Sequence, residues 1–92
     1  MLGTVKPGQL VRSRAGRDEG VCYLVLGYHD ARRVRVTDGA RRPVTRPKIK
    51  NLSHLEIIEK VGEDVAAALA KGEPVTDVMV RKNLAAILEG GR

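Results

Sequence analysis

The residues best suited to chemistry in this sequence are its arginines, and they cluster. Arg12, Arg14 and Arg17 border a polar loop, Ala15-Gly16-Arg17-Asp18-Glu19-Gly20. Arg32, Arg33 and Arg35 follow, then Arg41 and Arg42, and the run continues through Arg46, Lys48 and Lys50. A guanidinium is a planar fork of donors that matches phosphate oxygens and base edges, so a chain of them predicts a surface for a polyanion. An ordinary solvated face would also be polar, but it would intersperse acids. From Arg32 to Lys50 only Asp38 is negative. The net charge is +6, and it is unevenly placed: residues 1–51 carry +8 and residues 52–92 carry −2. The polyanion footprint therefore belongs to the front half.

Other chemistries are poorly supplied. No Gly-Lys-Ser/Thr follows a glycine-rich turn, so there is no phosphate-cradling P-loop. Cys22 is the single cysteine; it cannot close an internal disulfide or make a zinc site alone, and it reads as a small core residue. A lone cysteine agrees with a reducing, cytoplasmic setting. His29-Asp30 are neighbours whose side chains point apart, and His54 reads as a structural hydrogen-bonding residue, with an RNA contact as the lesser alternative. Glu63-Asp64 opens a helix and compensates its dipole. Neither a catalytic group nor a cofactor is expected. The aromatic residues are Tyr23 and Tyr28 alone, too few for the stacking platforms of single-strand binders. Tyr28, near a turn, could stack a base; Tyr23 belongs to the core. Recognition by shape and backbone is the expectation.

The elements that must position these residues change character midway. Short strands separated by turn signals fill the front: Gln9 to Arg14 after the Pro7-Gly8 turn, then the apolar, central Val21 to Leu26. Arg32 to Thr37 alternates, with Val34 and Val36 on one face and Arg33, Arg35 and Thr37 on the other. Asp38-Gly39 is a hairpin signal, with a return strand over Arg42 to Arg46 placed at an edge by Pro43. A last short strand is expected around His54-Leu55-Glu56. Five such strands suggest a small, highly curved barrel. In the back half Val61, Val65 and Leu69 recur every four residues up to Gly72, a C-terminal cap. Thr76 is an N-cap, and Val80, Leu84, Ile87 and Leu88 form a second stripe ending at Gly90-Gly91. The fold class is therefore mostly β with α: a barrel over residues 1–57 and a helix pair over residues 58–92. Neither helix is long enough to be stable alone.

The segment Gly8 to Gly20 with the apolar strand after it resembles a KOW motif, and Gly20 matches the glycine most characteristic of that motif. Val36-Thr37-Asp38-Gly39-Ala40-Arg41-Arg42 and Lys48-Ile49-Lys50-Asn51-Leu52-Ser53-His54-Leu55-Glu56 narrow the resemblance. Together, over residues 8–56, they look like the archaeal and eukaryotic large-subunit ribosomal protein family numbered fourteen-e, and like the small bacterial KOW-domain RNA-binding proteins related to it. The resemblance implies an SH3-like barrel that binds ribosomal or other structured RNA in translation.

On this basis Arg12, Arg14, Arg17, Arg32, Arg33, Arg35, Arg41, Arg42, Arg46, Lys48 and Lys50 are the candidate RNA contacts, with backbone N–H groups near Gly16 and Gly20 beside them. No run of about 18 apolar residues is present to span a membrane. The alternative is a protein-interaction adaptor using the barrel or the helices, and the stripe from Val80 to Leu88 could also form a dimer seam. A duplex-DNA binder is a weaker third reading, because Arg81 and Lys82 are the only basic residues inside the second helix.

Overall fold

The structure is a computed structural model that describes residues 5–90. Five strands are followed by two helices: β1 (Gln9–Ser13), β2 (Cys22–Tyr28), β3 (Arg33–Thr37), β4 (Lys48–Asn51), β5 (Leu55–Val61), α1 (Glu63–Lys71) and α2 (Asp77–Glu89). The strands form one antiparallel sheet in the order β4-β3-β2-β1-β5. The apolar β2 lies at its centre, as its composition requires.

The edges β4 and β5 are joined only by a 3-10 turn, Leu52–His54. In a flat sheet they would stand about 19 Å apart, four strand spacings. Four Cα steps through a 3-10 turn reach far less than that, so the sheet must curl. Its concave face is the first core: Val11, Tyr23, Val25, Val34, Val36 and Leu55, closed by Val5 and Leu52.

The other face is apolar at one end only. Leu10 pairs with Leu24, and Leu24 with Thr37; the helices cover this row through Val65, Val80 and Leu84. Val80 and Leu84 of the expected stripe are thus buried inside the fold, while Leu88 stays 54% exposed. Thr37, expected beside Arg33 and Arg35 on the exposed face, is fully buried here. Its hydroxyl donates to Arg42 O (2.6 Å) and accepts from Gly39 N.

Three expected elements are placed differently. Arg42 to Arg46 is a turn rather than a strand, with Arg46 N donating to Pro43 O. Pro43 and Pro47 have no N–H for a ladder, and Val44 N donates instead to Asp77 Oδ1 (2.8 Å), tying the segment to the start of α2. The return strand is β4, displaced to Lys48–Asn51. The short strand around His54 is a seven-residue β5 that begins after His54. Val61, expected on the first helix, is the last residue of β5, and the chain turns into α1 at Gly62.

Gly62 has no side chain to cap α1, and a Cβ there would meet Leu24 Cδ1 at 2.7 Å and Asn83 Oδ1 at 2.9 Å. The cap is supplied from α2: Asn83 Oδ1 accepts from Val65 N (3.0 Å), and its Nδ2 donates to Asp64 Oδ2 (2.9 Å). Thr76 caps α2 by accepting from Met79 N, and Gly72 ends α1 in the left-handed conformation at φ +71°.

Candidate nucleic-acid interface

The loop between β1 and β2 is a closed hairpin end. Gly20 N donates to Ser13 O (2.8 Å), Ser13 N to Val21 O, and Glu19 N to Gly16 O. Gly16 and Gly20 take φ of +88° and +91°, a region other residues enter at a cost of about 1–2 kcal/mol. The Gly20 N–H, expected to face nucleic acid, is used inside this turn.

Asp18 turns from the loop toward the sheet, where four donors meet it. Its Oδ1 accepts from Ser13 Oγ (2.9 Å) and Lys50 Nζ (3.2 Å). Its Oδ2 accepts from Tyr23 Oη (2.7 Å) and faces Lys48 Nζ (3.3 Å). Partial burial alone would raise the Asp18 carboxyl; the hydrogen bonds from Tyr23, Ser13, Lys50 and Lys48 outweigh it and hold the group well below the usual range. Burial and the bond to Asp18 push the Tyr23 hydroxyl well above its ordinary value.

Strand parity explains how two lysines reach this acid. Lys48 pairs with Val36 and Lys50 with Val34, so both point with the interior valines, whereas Ile49 pairs with Arg35 and is 37% exposed. The polarity of β4 is inverted, with lysines inward and isoleucine outward. Lys50 is only 7% exposed, and its ammonium is taken up by Asp18, Ser13 Oγ (3.0 Å) and Ala15 O (3.2 Å). Its expected place among the RNA contacts is therefore corrected: it is a buried structural cation. Lys48 is more open and borders solvent.

Above this network lies a cleft of about 300 Å³ between the β1–β2 loop and the segment after β3. Arg17, Arg41, Arg42 and Lys48 line it, with Val21 and Tyr23 and the acids Asp18 and Asp38. Asp18 is bonded at both oxygens and Asp38 at one. Asp38 Oδ1 accepts from Ala40 N and Arg42 N, each at 2.9 Å, a turn role expected of it. Arg17, Arg41 and Arg42 make no ion pair among the described residues. The cleft is thus richer in free donors than in free acceptors.

The remaining candidates lie elsewhere. Arg33 opens β3 and Arg35 is its middle residue, and about 16 Å of strand separates Arg33 from Asp38. Arg33 is bound to Asp30, Nε at 2.8 Å and Nη2 at 2.6 Å. Arg33 and the Arg32 amide in turn hold the Asp30 carboxyl down at about 2. The Arg35 guanidinium lies over Gly27, where a Cβ would meet its Nη2 at 2.6 Å. Arg12 faces Glu56 at 3.7 Å across the β1–β5 pair. Arg14, Arg32 and Arg46 are exposed on loops and turns. The basic run is therefore divided, and only Arg17, Arg41, Arg42 and Lys48 are brought together. Asp18, which organises the cleft, was read from the sequence only as part of a polar loop. Its partner Lys50 is 32 residues away, and no local spacing signals such a pair.

Among the described residues no group of three or more His, Cys, Asp or Glu side chains could hold a metal ion, and no helix is long and apolar enough to cross a membrane. A scan against protein-family models finds no match for the chain, and a search of curated proteins finds no relative.

Proposed function

We propose that this protein binds structured RNA, ribosomal or of another kind, in a translation-associated role, and that the Arg17–Arg41–Arg42–Lys48 cleft is where it grips the phosphate backbone. The observation that carries this is the donor-rich lining: three guanidinium groups with no ion pair among the described residues meet around Asp18, bonded at both oxygens, and Asp38, bonded at one. Phosphate oxygens are pure acceptors, so such a lining suits them better than it suits base donors. The aromatic side chains agree. Tyr23 is buried with its hydroxyl on Asp18, and Tyr28, whose Oη accepts from Val5 N, is 42% exposed, so at most one tyrosine ring is open to a base. Duplex DNA is disfavoured because Arg81, one of two basic residues in α2, donates to Gly39 O.

Fluorescence anisotropy with a folded RNA and a DNA duplex of equal charge, at two salt concentrations, tests the proposal. The RNA is expected to bind more tightly, with affinity falling as salt rises. Reversing Arg17, Arg41 and Arg42 to Glu is expected to weaken RNA binding at least about a hundredfold near 0.1 M salt, given roughly fivefold per lost phosphate contact. Reversing Arg12, Arg33 and Arg35, a charge-matched set outside the cleft, is expected to have a much smaller effect. Equal losses in the two sets would mean that charge acts generically.

A protein-adaptor role is favoured by one observation. Val78 and Leu88, both on α2, are 55% and 54% exposed. An adaptor acting through α2 would keep its partner when the cleft arginines are reversed and lose it when Val78 and Leu88 become polar.

A further inference from the structure

At and beneath the floor of the cleft two lysines share one carboxylate, and the burial of the lysines differs. Lys50 is enclosed, with 8% of its side chain exposed, and Lys48 is open at 27%. Each takes a different oxygen of Asp18, Lys50 on Oδ1 and Lys48 on Oδ2. One carboxylate needs one counter-charge. The enclosed lysine is fixed by Ser13 Oγ and Ala15 O as well, whereas Lys48 has Asp18 as its sole partner among the described residues. Lys48 also lines the cleft; Lys50 does not.

We propose, on the reading that the cleft binds RNA, that Lys50 is a positioning residue whose buried charge neutralises Asp18 so that Lys48 can leave Asp18 for an RNA phosphate. Lys48 is then an exchangeable cation, held over the cleft floor in the free protein and transferred to the ligand on binding. Asp18 does not lose its compensation in the exchange, because Lys50, Tyr23 and Ser13 remain on it. Without Lys50 the same exchange would leave a largely buried carboxylate without a cation, so Lys48 would be retained and withheld from RNA.

A charge-swap series read by RNA anisotropy at several salt concentrations tests this, with circular dichroism confirming that each variant is folded. Lys48→Met is expected to weaken binding about fivefold near 0.1 M salt and to lower the slope of log K against log salt by about 0.7–0.9, the signature of one lost phosphate contact. Lys50→Met is expected to do the same although residue 50 never touches the ligand, and the two substitutions together, which leave Asp18 without a cation beside the phosphate, to bind more weakly than either alone. The decisive variant is Asp18→Asn with Lys50→Met. The amide keeps an acceptor for Tyr23 and supplies a donor toward Ser13 and Ala15 in place of the lysine, and it no longer holds Lys48. Binding and salt slope are expected to return to within about twofold of wild type.

A purely structural role for Lys50 would make this double variant at least as defective as the single one, and that result would overturn the proposal. So would wild-type binding by a folded Lys50→Met protein. If Lys50→Met does not fold, the double variant carries the test alone, and weak binding by its folded form overturns the proposal. Failure of the wild type to bind RNA would instead reject the cleft as an RNA site, and the exchange with it.

Discussion

Asp18 receives four donors on two oxygens, and its behaviour in acid follows from that. Its carboxyl is held far below its ordinary value of 3.8, so the folded protein keeps this group ionised where an unfolded chain has begun to protonate it. The stabilisation is therefore complete above about pH 4 and is lost as pH falls from there through the depressed folded value. Urea denaturation of wild type and Asp18→Asn should show a stability gap that is flat from pH 7 to about 5 and narrows below about 4. Asp18→Ala at neutral pH is expected to lose about 3 kcal/mol, because it leaves Lys50 buried with only neutral acceptors. This arrangement was not legible in the sequence, where Lys48 and Lys50 look like two more members of a basic run. Their inward direction is set by pairing with Val36 and Val34, and strand parity is fixed only once the register is known.

At the scale of elements, the joints between sheet and helices depend on close approach. Gly39, at φ +74°, would bring a Cβ within 2.7 Å of Asp77 O and 3.1 Å of Val80 Cβ, whereas Gly20, at φ +91°, has nothing within 4 Å. Both positions carry the left-handed penalty of about 1–2 kcal/mol, and only Gly39 adds a collision with α2. Gly39→Ala should therefore lower the denaturation midpoint clearly more than Gly20→Ala. Asn83→Ala removes the cap of α1 and leaves a buried Val65 N–H unpaired, and about 1–3 kcal/mol should be lost in the same assay. Most elements could be read from local signals: the apolar run of β2, the Gly72 stop and the Thr76 cap all act where they are written. The failures have a common cause. The segment from Arg42 to Arg46 is drawn to Asp77, 33 residues beyond Val44, and Gly62 is capped from Asn83. Such long-range partners override local strand and helix preference.

For the whole molecule, the fold redistributes the charge that the sequence gathers in its front half. The basic front half supplies four of the five strands and their loops, and the more acidic back half supplies β5 and the helices that cover the Leu10–Leu24–Thr37 row. The charge asymmetry was visible from the residues alone. What the sequence could not convey was its division in space, because Arg33 and Arg41 are near in the chain and lie toward opposite ends of β3. That division makes a spatial prediction which bulk affinity does not. In a 1H–15N correlation titration with a folded RNA, shift changes are expected at Arg17, at residues 38–42 and at Lys48. The amides of α2 and of the Asp30–Arg33 turn should be nearly unmoved. Changes centred on α2 or on that turn, or none under conditions where a basic control peptide binds the same RNA, would contradict the assignment of the cleft as the RNA-binding site.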